Sequence, residues 1–414
     1  MMQSAPAPMC GPRSGEKPRQ RRRGARMRLA KRRRRAVMVS GVVALAIVTG
    51  GCTAAGRPGG HAVRPARGSP VAPPQHRRSS GRSVQVVVEA SGDLLIHSAV
   101  YRRALVDGAG RSYTFTPMFA QIKPYIAGAD LALCHVETPM TPTAPAGYPV
   151  FNTPPALATA IAQTGWRACS TAATHSLDQG QTGVDDTIRA LDRAGVAHTG
   201  TFSSAAAQAT PLIMTVTGIR VAFLAYTELT NGIPSPRPWS VNRASAAQIL
   251  SDARRARRDG AQVVIVNIHW GDQYTAQPSS FQLQLASTLT RSPDITAIVG
   301  QHVHIVQPIR IIHGKLVVFG EGNLISNQTS ACCPAASQDG MIVLLTITVG
   351  SSGAYVSFIH YVPIWVRHPD FVVLPAGAAW RTDPADAAAL RASYERTVAV
   401  AGRGPQIQPI PAHL

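Results

Sequence analysis

The chain has 414 residues and a formal net charge of +20, and this charge is concentrated near the N-terminus. Residues 1–35 hold 13 Lys and Arg with one acidic residue, and residues 53–83 hold six Arg with none. The other residues carry 22 basic and 20 acidic side chains, so the net charge gives no reason to expect a nucleic-acid-binding body. We therefore expect no nucleic-acid partner.

Residues 1–52 have the layout of an export signal, with the basic run Arg32–Arg35 before the apolar stretch Ala36–Val48. These 13 apolar residues are too few to span a bilayer comfortably. A run of small residues ending at Cys52 follows and resembles a lipoprotein signal, although an aliphatic residue usually stands where Thr49 does. We predict lipidation at Cys52 and a location on the extracytoplasmic face of the cell membrane, with ordinary secretion or a retained anchor as the alternative.

Residues 53–83 are rich in Gly, Pro, Arg and Ser, which predicts a disordered basic tether. The folded domain is predicted over residues 84–370, and a C-terminal extension with a helix at 383–400 over residues 371–414. Strands and helices alternate in the domain and are followed by hairpins, which predicts two sheets packed face to face with helices outside. The predicted strands are Val84–Glu89, Leu131–Cys134, Trp166–Ser170, Gln262–Ile268 and Ile295–Val299. The predicted helices include Pro117–Ala127, Pro155–Gln163, Ala244–Arg258 and Pro278–Arg291, and hairpins are predicted at 212–226, 305–319 and 341–362.

Cys134 and Cys169 end two consecutive predicted strands. Because adjacent strand ends lie close and exported proteins meet an oxidising compartment, a disulfide is one expectation and two buried thiols the other. Cys332 and Cys333 are neighbours in a loop, and they either pair with each other or stay free.

Polar side chains follow the predicted strands where each strand ends. Ligands of α/β sheets bind outside the carboxyl ends of the strands, where these side chains are expected to converge. Carboxylates and imidazoles are the ligands of a hard-to-borderline divalent cation. As structural alternatives, Gly92-Asp93 is a common turn and an isolated Glu137 would cap a helix. The converging residues are Asp93, Glu137, His175, His269, His302 and His304.

His175 has Asp178 three residues further on, in a polar loop after a strand. A carboxylate beside an imidazole orients the ring and raises its pKa, as general-acid catalysis requires. We predict His175 and Asp178 as catalytic residues. The alternative is that Asp178 caps the helix starting near Gly183 and that His175 bonds only to backbone.

His302 and His304 form the most specific motif, because two histidines at i and i+2 project to one side of an extended segment. His97, four residues after Asp93, lies within reach of the same site. A cation held there would act as a Lewis acid and lower the pKa of bound water to about 7. We predict one or two divalent cations, with Mn, Fe and Zn as the candidates.

Six motifs follow one another along the chain, namely Gly92-Asp93, ADLALCHVETP (129–139), STAATHSLDQG (170–180), NIHWGDQY (267–274), IVGQHVHIVQP (298–308) and FGEGN (319–323). Their order resembles that of bacterial CapA-type proteins, which are associated with poly-γ-glutamate capsule synthesis. The resemblance covers about residues 84–365 and implies a four-layer αββα sandwich of the calcineurin-like metallophosphatase type with a dinuclear metal site.

The resemblance also implies a role for each matching residue. Asp93 and His304 would bind the first cation, Glu137 would bridge, and His269 and His302 would hold the second. His175 would be the catalytic imidazole, and Asn323 falls in the Gly-Asn turn of the family.

Two positions depart from the family pattern. Thr174 stands where the family commonly has Asn, and a hydroxyl is a poorer neutral ligand than an amide carbonyl. His135 also stands where the family often has Asn, and it either compensates or turns away.

The sequence therefore predicts an exported, membrane-tethered hydrolase that acts on or handles an anionic cell-envelope polymer or its precursor. Its predicted partners are this polymer, the membrane and the capsule synthase. One alternative is a non-catalytic polymer-binding or scaffold protein with a degenerate metal site. A peptide amidase that uses one zinc ion is the other alternative.

Overall fold

The computed structural model describes residues 83–411. The predicted export signal, the lipidation site Cys52 and nearly all of the predicted tether lie outside the described residues, so they stay predictions. Within residues 83–411, no helix is both long and apolar enough to cross a bilayer.

The described body is built from mixed strands and helices in alternating order. The strands are β1 Val84–Leu94, β2 Leu131–Val136, β3 Ala168–Ser170, β4 Ala197–Thr199, β5 Leu212–Val216, β6 Ile219–Thr227, β7 Val263–His269, β8 Ala297–Gln301, β9 Ile309–Ile312, β10 Lys315–Val318, β11 Asn323–Ile325, β12 Asp339–Gly350, β13 Gly353–Val366, β14 Val373–Pro375 and β15 Ile407–Pro409. The helices are α1 Ser98–Asp107, α2 Thr116–Phe119, α3 Lys123–Ala127, α4 Ala156–Thr164, α5 Gly180–Ala194, α6 Ala205–Ala209, α7 Ala246–Arg258, α8 Ser280–Thr290, α9 Ala376–Ala379 and α10 Ala387–Ala401, with a 3-10 turn at Ala335–Gln338.

These strands form two sheets. The larger sheet has the order β14-β13-β12-β1-β2-β3-β4, with β11 beside β1 and β15 beside β13. The smaller sheet has the order β5-β6-β7-β8-β10-β9. The pairs β1–β2, β2–β3, β6–β7 and β7–β8 are parallel. The carboxyl ends of these strands therefore meet at one edge of each sheet.

The alternation of side chains along each strand builds the layers. In β7, Val263 and Ile265 point into a core shared by both sheets, whereas Val264 and Val266 point to a core shared with α7 and α8. In the larger sheet, Cys134 of β2 faces a third core, which α1 to α4 cover. Three apolar cores between four layers confirm the predicted αββα sandwich.

The predicted hairpins are confirmed as β5–β6, β9–β10 and β12–β13. The single helix predicted over Pro117–Ala127 is wrong, because the chain forms two short helices, α2 and α3. Pro124 lies in the first turn of α3. A proline is tolerated there but clashes with the preceding turn inside a helix, so one continuous helix is excluded.

The C-terminal segment contributes directly to the larger sheet. Strand β14 pairs with β13 in antiparallel orientation, and β15 pairs with β13 in parallel orientation. The helix expected at 383–400 is observed as α10, which begins at Ala387 and ends at Ala401. The sequence analysis did not predict the three-residue strands β4, β11, β14 and β15, which are too short to show a period, whereas the equally short β3 was predicted within Trp166–Ser170.

Cys134 and Cys169 are register partners on the neighbouring parallel strands β2 and β3. The structure joins Cys134 and Cys169 in a disulfide, so they are not two buried thiols. Cys333 is a free thiol.

Candidate metal centre

The layer between the two sheets changes from apolar to polar at the carboxyl ends of the strands. In β2, His135 follows Leu133 on the same face, and in β7, Asn267 and His269 follow Ile265. These polar side chains are as buried as the apolar ones before them. A buried polar layer at this edge is therefore where a ligand would bind.

Asp93 reaches the site because the backbone comes unusually close at Gly92. A Cβ on Gly92 would lie 1.9 Å from the carbonyl oxygen of Gly322, so only glycine fits there. The Asp93 N–H donates to the same carbonyl at 3.0 Å. The Asp93 carboxylate lies 3.4 Å from His304 Nδ1, and both its oxygens lie 3.3 Å from the His302 N–H nitrogen.

Glu137 follows the last residue of β2 and is buried. Neither of its carboxylate oxygens has a hydrogen-bond partner among the described residues. Burial raises the pKa of Glu137 well above its usual value, and Asp93 and Asp178 raise it further. A buried carboxylate without partners is costly unless a cation compensates it. Glu137 therefore does not cap a helix, and its oxygens are available to a cation.

His269 and His302 present facing ring nitrogens, with His269 Nε2 3.0 Å from His302 Nδ1. The Thr174 hydroxyl completes a triangle with these two nitrogens, 2.9 Å from His269 Nε2 and 3.2 Å from His302 Nδ1. Glu137 Oε1 lies 3.7 Å from His269 Nε2. Thr174 thus occupies a position among the candidate ligands, with a hydroxyl as its only polar side-chain group.

The i, i+2 spacing of His302 and His304 predicts an extended segment, and this prediction is wrong. Their φ angles are 94° and 60°, which non-glycine residues adopt rarely and mostly where other contacts stabilise the strain. The bend still brings the rings together, with centroids 5.9 Å apart. Asn323 supports it, because His304 Nδ1 lies 3.1 Å from Asn323 Oδ1 and the Asn323 amide donates to the His304 carbonyl oxygen.

The side chains form three overlapping groups. Within each group, the ligand atoms all lie within 4.8 Å of one another. Asp93, Glu137 and His269 are each shared between groups. The chemistry of the donors, carboxylate oxygen with imidazole nitrogen, fits borderline divalent cations such as Mn, Fe and Zn. The groups are Asp93 with His135 and His269, Glu137 with His269 and His302, and Asp93 with Glu137 and His304.

Three imidazoles of this cluster have pKa values below the usual value, mainly because they are buried. Burial, with the neighbouring His304 as the next cause, lowers the pKa of His302 to about 3, and burial lowers the pKa of His135 to about 4. The pKa of His269 is also well below its usual value, because of burial and then the neighbouring His302. A neutral imidazole keeps one nitrogen lone pair free, which metal coordination requires.

His175 lies beside this cluster but in none of the three ligand groups. Its Nδ1 is 2.8 Å from Asp178 Oδ2, and its ring packs against Phe151 with centroids 4.5 Å apart. Asp178 also accepts the Phe151 N–H at 2.7 Å and the Asn231 amide at 3.0 Å. Helix α5 has Gln179 at its N-cap with no side-chain cap. Asp178 therefore orients His175 and does not cap the helix.

His97 bonds to the backbone and not to the residues of the cluster. Its Nδ1 accepts the Asn327 N–H at 3.2 Å, and it belongs to no ligand group among the described residues. Burial, followed by the nearby His304, lowers the pKa of His97 to about 3.

Sequence reasoning missed three polar residues that support the site. Asn231 lies in an irregular loop and has no pattern to reveal it. Asn267 lies two residues before His269 on the same strand face, so the strand period was a usable signal. Glu321 is fully buried, accepts from the Gln301 amide at 2.5 Å, and lies inside the FGEGN motif, which pointed only to Asn323.

The fold and the cluster define a four-layer α/β protein with a candidate centre for divalent cations. Residues 87–328, more than half of the chain, match the family model described as "Bacterial capsule synthesis protein PGA_cap". The chain belongs to this family of bacterial capsule synthesis proteins.

Two curated relatives carry related names. The chain is 26% identical over 270 residues to "Capsule biosynthesis protein CapA" of Bacillus anthracis, covering 62% of this chain and 63% of the relative. It is 26% identical over 157 residues to "PGA biosynthesis protein CapA" of Bacillus subtilis, covering 37% and 41%. The chain thus spans less than two thirds of the length of either relative.

Among solved structures, the chain is similar to the calcineurin-like phosphoesterase YfkN of Bacillus subtilis. The identity is 13% and the TM-score 0.42, over 75% of this chain and 100% of that chain. A phosphatase of Mycoplasma pneumoniae gives 11% identity and a TM-score of 0.42, over 69% and 95%. The layers and strand orders described above, and not these superpositions, establish the fold class.

Proposed function

We propose that this protein is a metal-dependent hydrolase of capsule biosynthesis that acts on an anionic cell-envelope polymer or its precursor. One observation carries the proposal, namely the buried cluster in which the two carboxylate oxygens of Glu137 lie among imidazoles and have no hydrogen-bond partner among the described residues. The names of the relatives, which refer to capsule and PGA biosynthesis, support the substrate class.

Each residue of the cluster has a defined task under this proposal. Bound divalent cations supply Lewis-acid activation of a scissile bond and of water. The residues that would hold them are Asp93, Glu137, His269, His302 and His304. Asp178 orients His175 through Nδ1, which leaves Nε2 of His175 to deliver a proton to the leaving group.

The experiment combines metal analysis with activity on the purified full-length chain. We expect bound Mn, Fe or Zn, hydrolysis of phosphate esters or γ-linked glutamate chains, and loss of both in His302→Ala. His198→Ala is a matched control, because His198 lies on β4 and bonds to Asp192 outside the cluster. A protein that binds no cation at neutral pH would contradict the proposal.

Thr174 favours a second candidate function, a non-catalytic protein that holds the polymer or a synthase partner. A threonine hydroxyl among the ligand atoms of His269 and His302 is a weak ligand for a second cation. The Thr174→Asn variant separates the two functions. Increased cation occupancy together with new activity would identify a weakened enzyme, whereas cation binding without turnover in both forms supports a scaffold.

We further propose that the protein is exported and lipid-anchored at Cys52, on the evidence of the apolar stretch Ala36–Val48 before this cysteine. The test is metabolic labelling with a fatty acid and membrane fractionation of cells expressing the full chain. Cys52→Ala is expected to abolish labelling and release the protein from the membrane fraction. Equal labelling of both forms would refute the anchor.

A further inference from the structure

His269 faces candidate ligands with both of its ring nitrogens. Its Nε2 lies near Glu137 and His302, in one ligand group. Its Nδ1 lies 3.0 Å from His135 Nε2 and 3.8 Å from Asp93 Oδ1, in another group. A neutral imidazole has one N–H and one lone pair, so it coordinates a cation through one nitrogen only. One of the two groups must therefore use His269 as a hydrogen-bond donor.

The surroundings of His135 decide which nitrogen is the donor. The Asn267 side chain lies beside the His135 ring and acts to raise the pKa of that ring. His135 Nδ1 and Asn267 Oδ1 are both buried, and neither has a hydrogen-bond partner within bonding distance among the described residues. Because an amide oxygen only accepts, a bond between these two atoms places the proton on His135 Nδ1 and leaves a lone pair on His135 Nε2. That lone pair points at His269 Nδ1.

We propose that His135, held by Asn267, is a positioning residue that fixes the tautomer of His269. The His269 Nδ1–H donates to His135 Nε2, and His269 Nε2 keeps its lone pair for the cation shared with Glu137 and His302. The two rings lie nearly parallel, with centroids 4.9 Å apart and 22° between their planes, which restrains rotation of His269. This inference rests on the proposed cation site and gives a task to a residue that departs from the family pattern.

His135 as a direct ligand is the competing arrangement. It would require His269 either to bind through Nδ1, leaving the group with Glu137 and His302 one ligand short, or to lose both ring protons. Orientation of a ligating histidine by a hydrogen bond at its other nitrogen is the general pattern in metalloproteins. Loss of such a partner usually weakens metal binding by 10–100-fold.

The test measures zinc affinity of the full-length chain by competition with a chelator, and counts imidazole ligands by X-ray absorption of the zinc-loaded protein. We expect His135→Leu to weaken zinc binding about 10–100-fold. His135→Gln, whose amide oxygen accepts a hydrogen bond, is expected to restore most of the affinity. The imidazole count should equal that of the wild type in both variants. The control His198→Leu, on β4 of the same sheet, should bind zinc normally.

Each outcome has a distinct meaning. An imidazole count that falls by one in His135→Gln would make His135 a ligand and overturn the proposal, as would unchanged affinity in His135→Leu. Equal weakening by Leu and Gln would indicate a merely structural role. If His135→Leu does not fold, Asn267→Leu provides the test, since it leaves His135 in place and is expected to weaken zinc binding in the same direction. A wild-type chain that binds no zinc would refute the cation site itself.

Discussion

The two ends of the layer between the sheets share the same strands and the same burial but differ in chemistry. At one end, Ile265 of β7, Val299 of β8 and Leu133 of β2 belong to the same apolar core. At the other end, His135 lies two residues after Leu133 on the same face of β2, and His269 lies four residues after Ile265 on the same face of β7. Burial alone therefore does not distinguish the structural part of this layer from its functional part.

The difference lies in what each end does for stability. The apolar end gains free energy from every side chain removed from water. Within residues 83–411, the polar end holds four buried atoms without a hydrogen-bond partner, namely both carboxylate oxygens of Glu137, Asn267 Oδ1 and His135 Nδ1. Such groups are costly in a folded protein and persist where a ligand or a catalytic task compensates them.

The largest expected effect on stability is at the apolar end. Ile265 is fully buried between the sheets, so Ile265→Ala leaves a cavity and is expected to lower the free energy of unfolding by about 2–5 kcal/mol. Urea denaturation of the chelator-treated protein measures this change. The folded fraction should bind zinc with unchanged affinity. If Ile265→Ala lost as much zinc affinity as a substitution of a candidate ligand such as His302→Ala, the separation into a structural end and a functional end would be wrong.

At the polar end we expect a substitution to raise the free energy of unfolding and not to lower it. Glu137→Leu removes a buried carboxylate that has no hydrogen-bond partner among residues 83–411, so the free energy of unfolding of the chelator-treated protein should rise by about 1–3 kcal/mol. The same variant should lose zinc binding and hydrolysis. Urea denaturation and chelator competition measure the two quantities. Destabilisation as large as that of Ile265→Ala would show that Glu137 has a structural partner.

Glu321, another buried carboxyl group at the polar end, makes the stability of the protein depend on pH. The pKa of Glu321 is raised from 4.5 to about 8, mainly by burial, while the hydrogen bond from Gln301 opposes the rise and the nearby Asp93 adds to it. Because the folded value is the higher one, its contribution to stability is complete below pH 4.5 and decreases as the pH rises to about 8, by up to about 1.4 kcal/mol per pH unit.

Glu321→Gln is therefore expected to reduce the loss of stability between pH 4.5 and pH 8 in chelator-treated protein. Denaturant melts at several pH values measure it. Glu395→Gln is the control, because Glu395 is exposed and pairs with Arg391 on α10. Parallel pH profiles for wild type and Glu321→Gln would contradict the assignment of this pKa.

The smallest effect is expected in the outer helical layer. The Ser245 hydroxyl caps α7 by accepting the Gln248 N–H at 3.2 Å, so Ser245→Ala should cost about 1 kcal/mol of unfolding free energy. Zinc affinity should not change, since α7 packs on the outer face of the smaller sheet. A change in zinc affinity would show that the outer layer also influences the site.

Much of this molecule was predictable from local pattern. The continuous apolar run of β7 placed His269 at the end of a buried strand, and the apolar runs of β2 and β8 placed Glu137 and His302 after the ends of two other strands. The tertiary structure overrode the extended geometry expected for His302 and His304, which adopt positive φ because Asp93 and Asn323 bind them in a tight bend.

The sequence by itself determined which residue types stand at the ends of the strands, because side-chain alternation and strand order depend on local spacing and on the packing of apolar faces. Only the tertiary structure decided how these residues face one another. The contact between His135 and His269, 134 residues apart, depends on two sheets packing at one distance and register. The bonds from Phe151 and Asn231 to Asp178 depend on loops whose paths no period records.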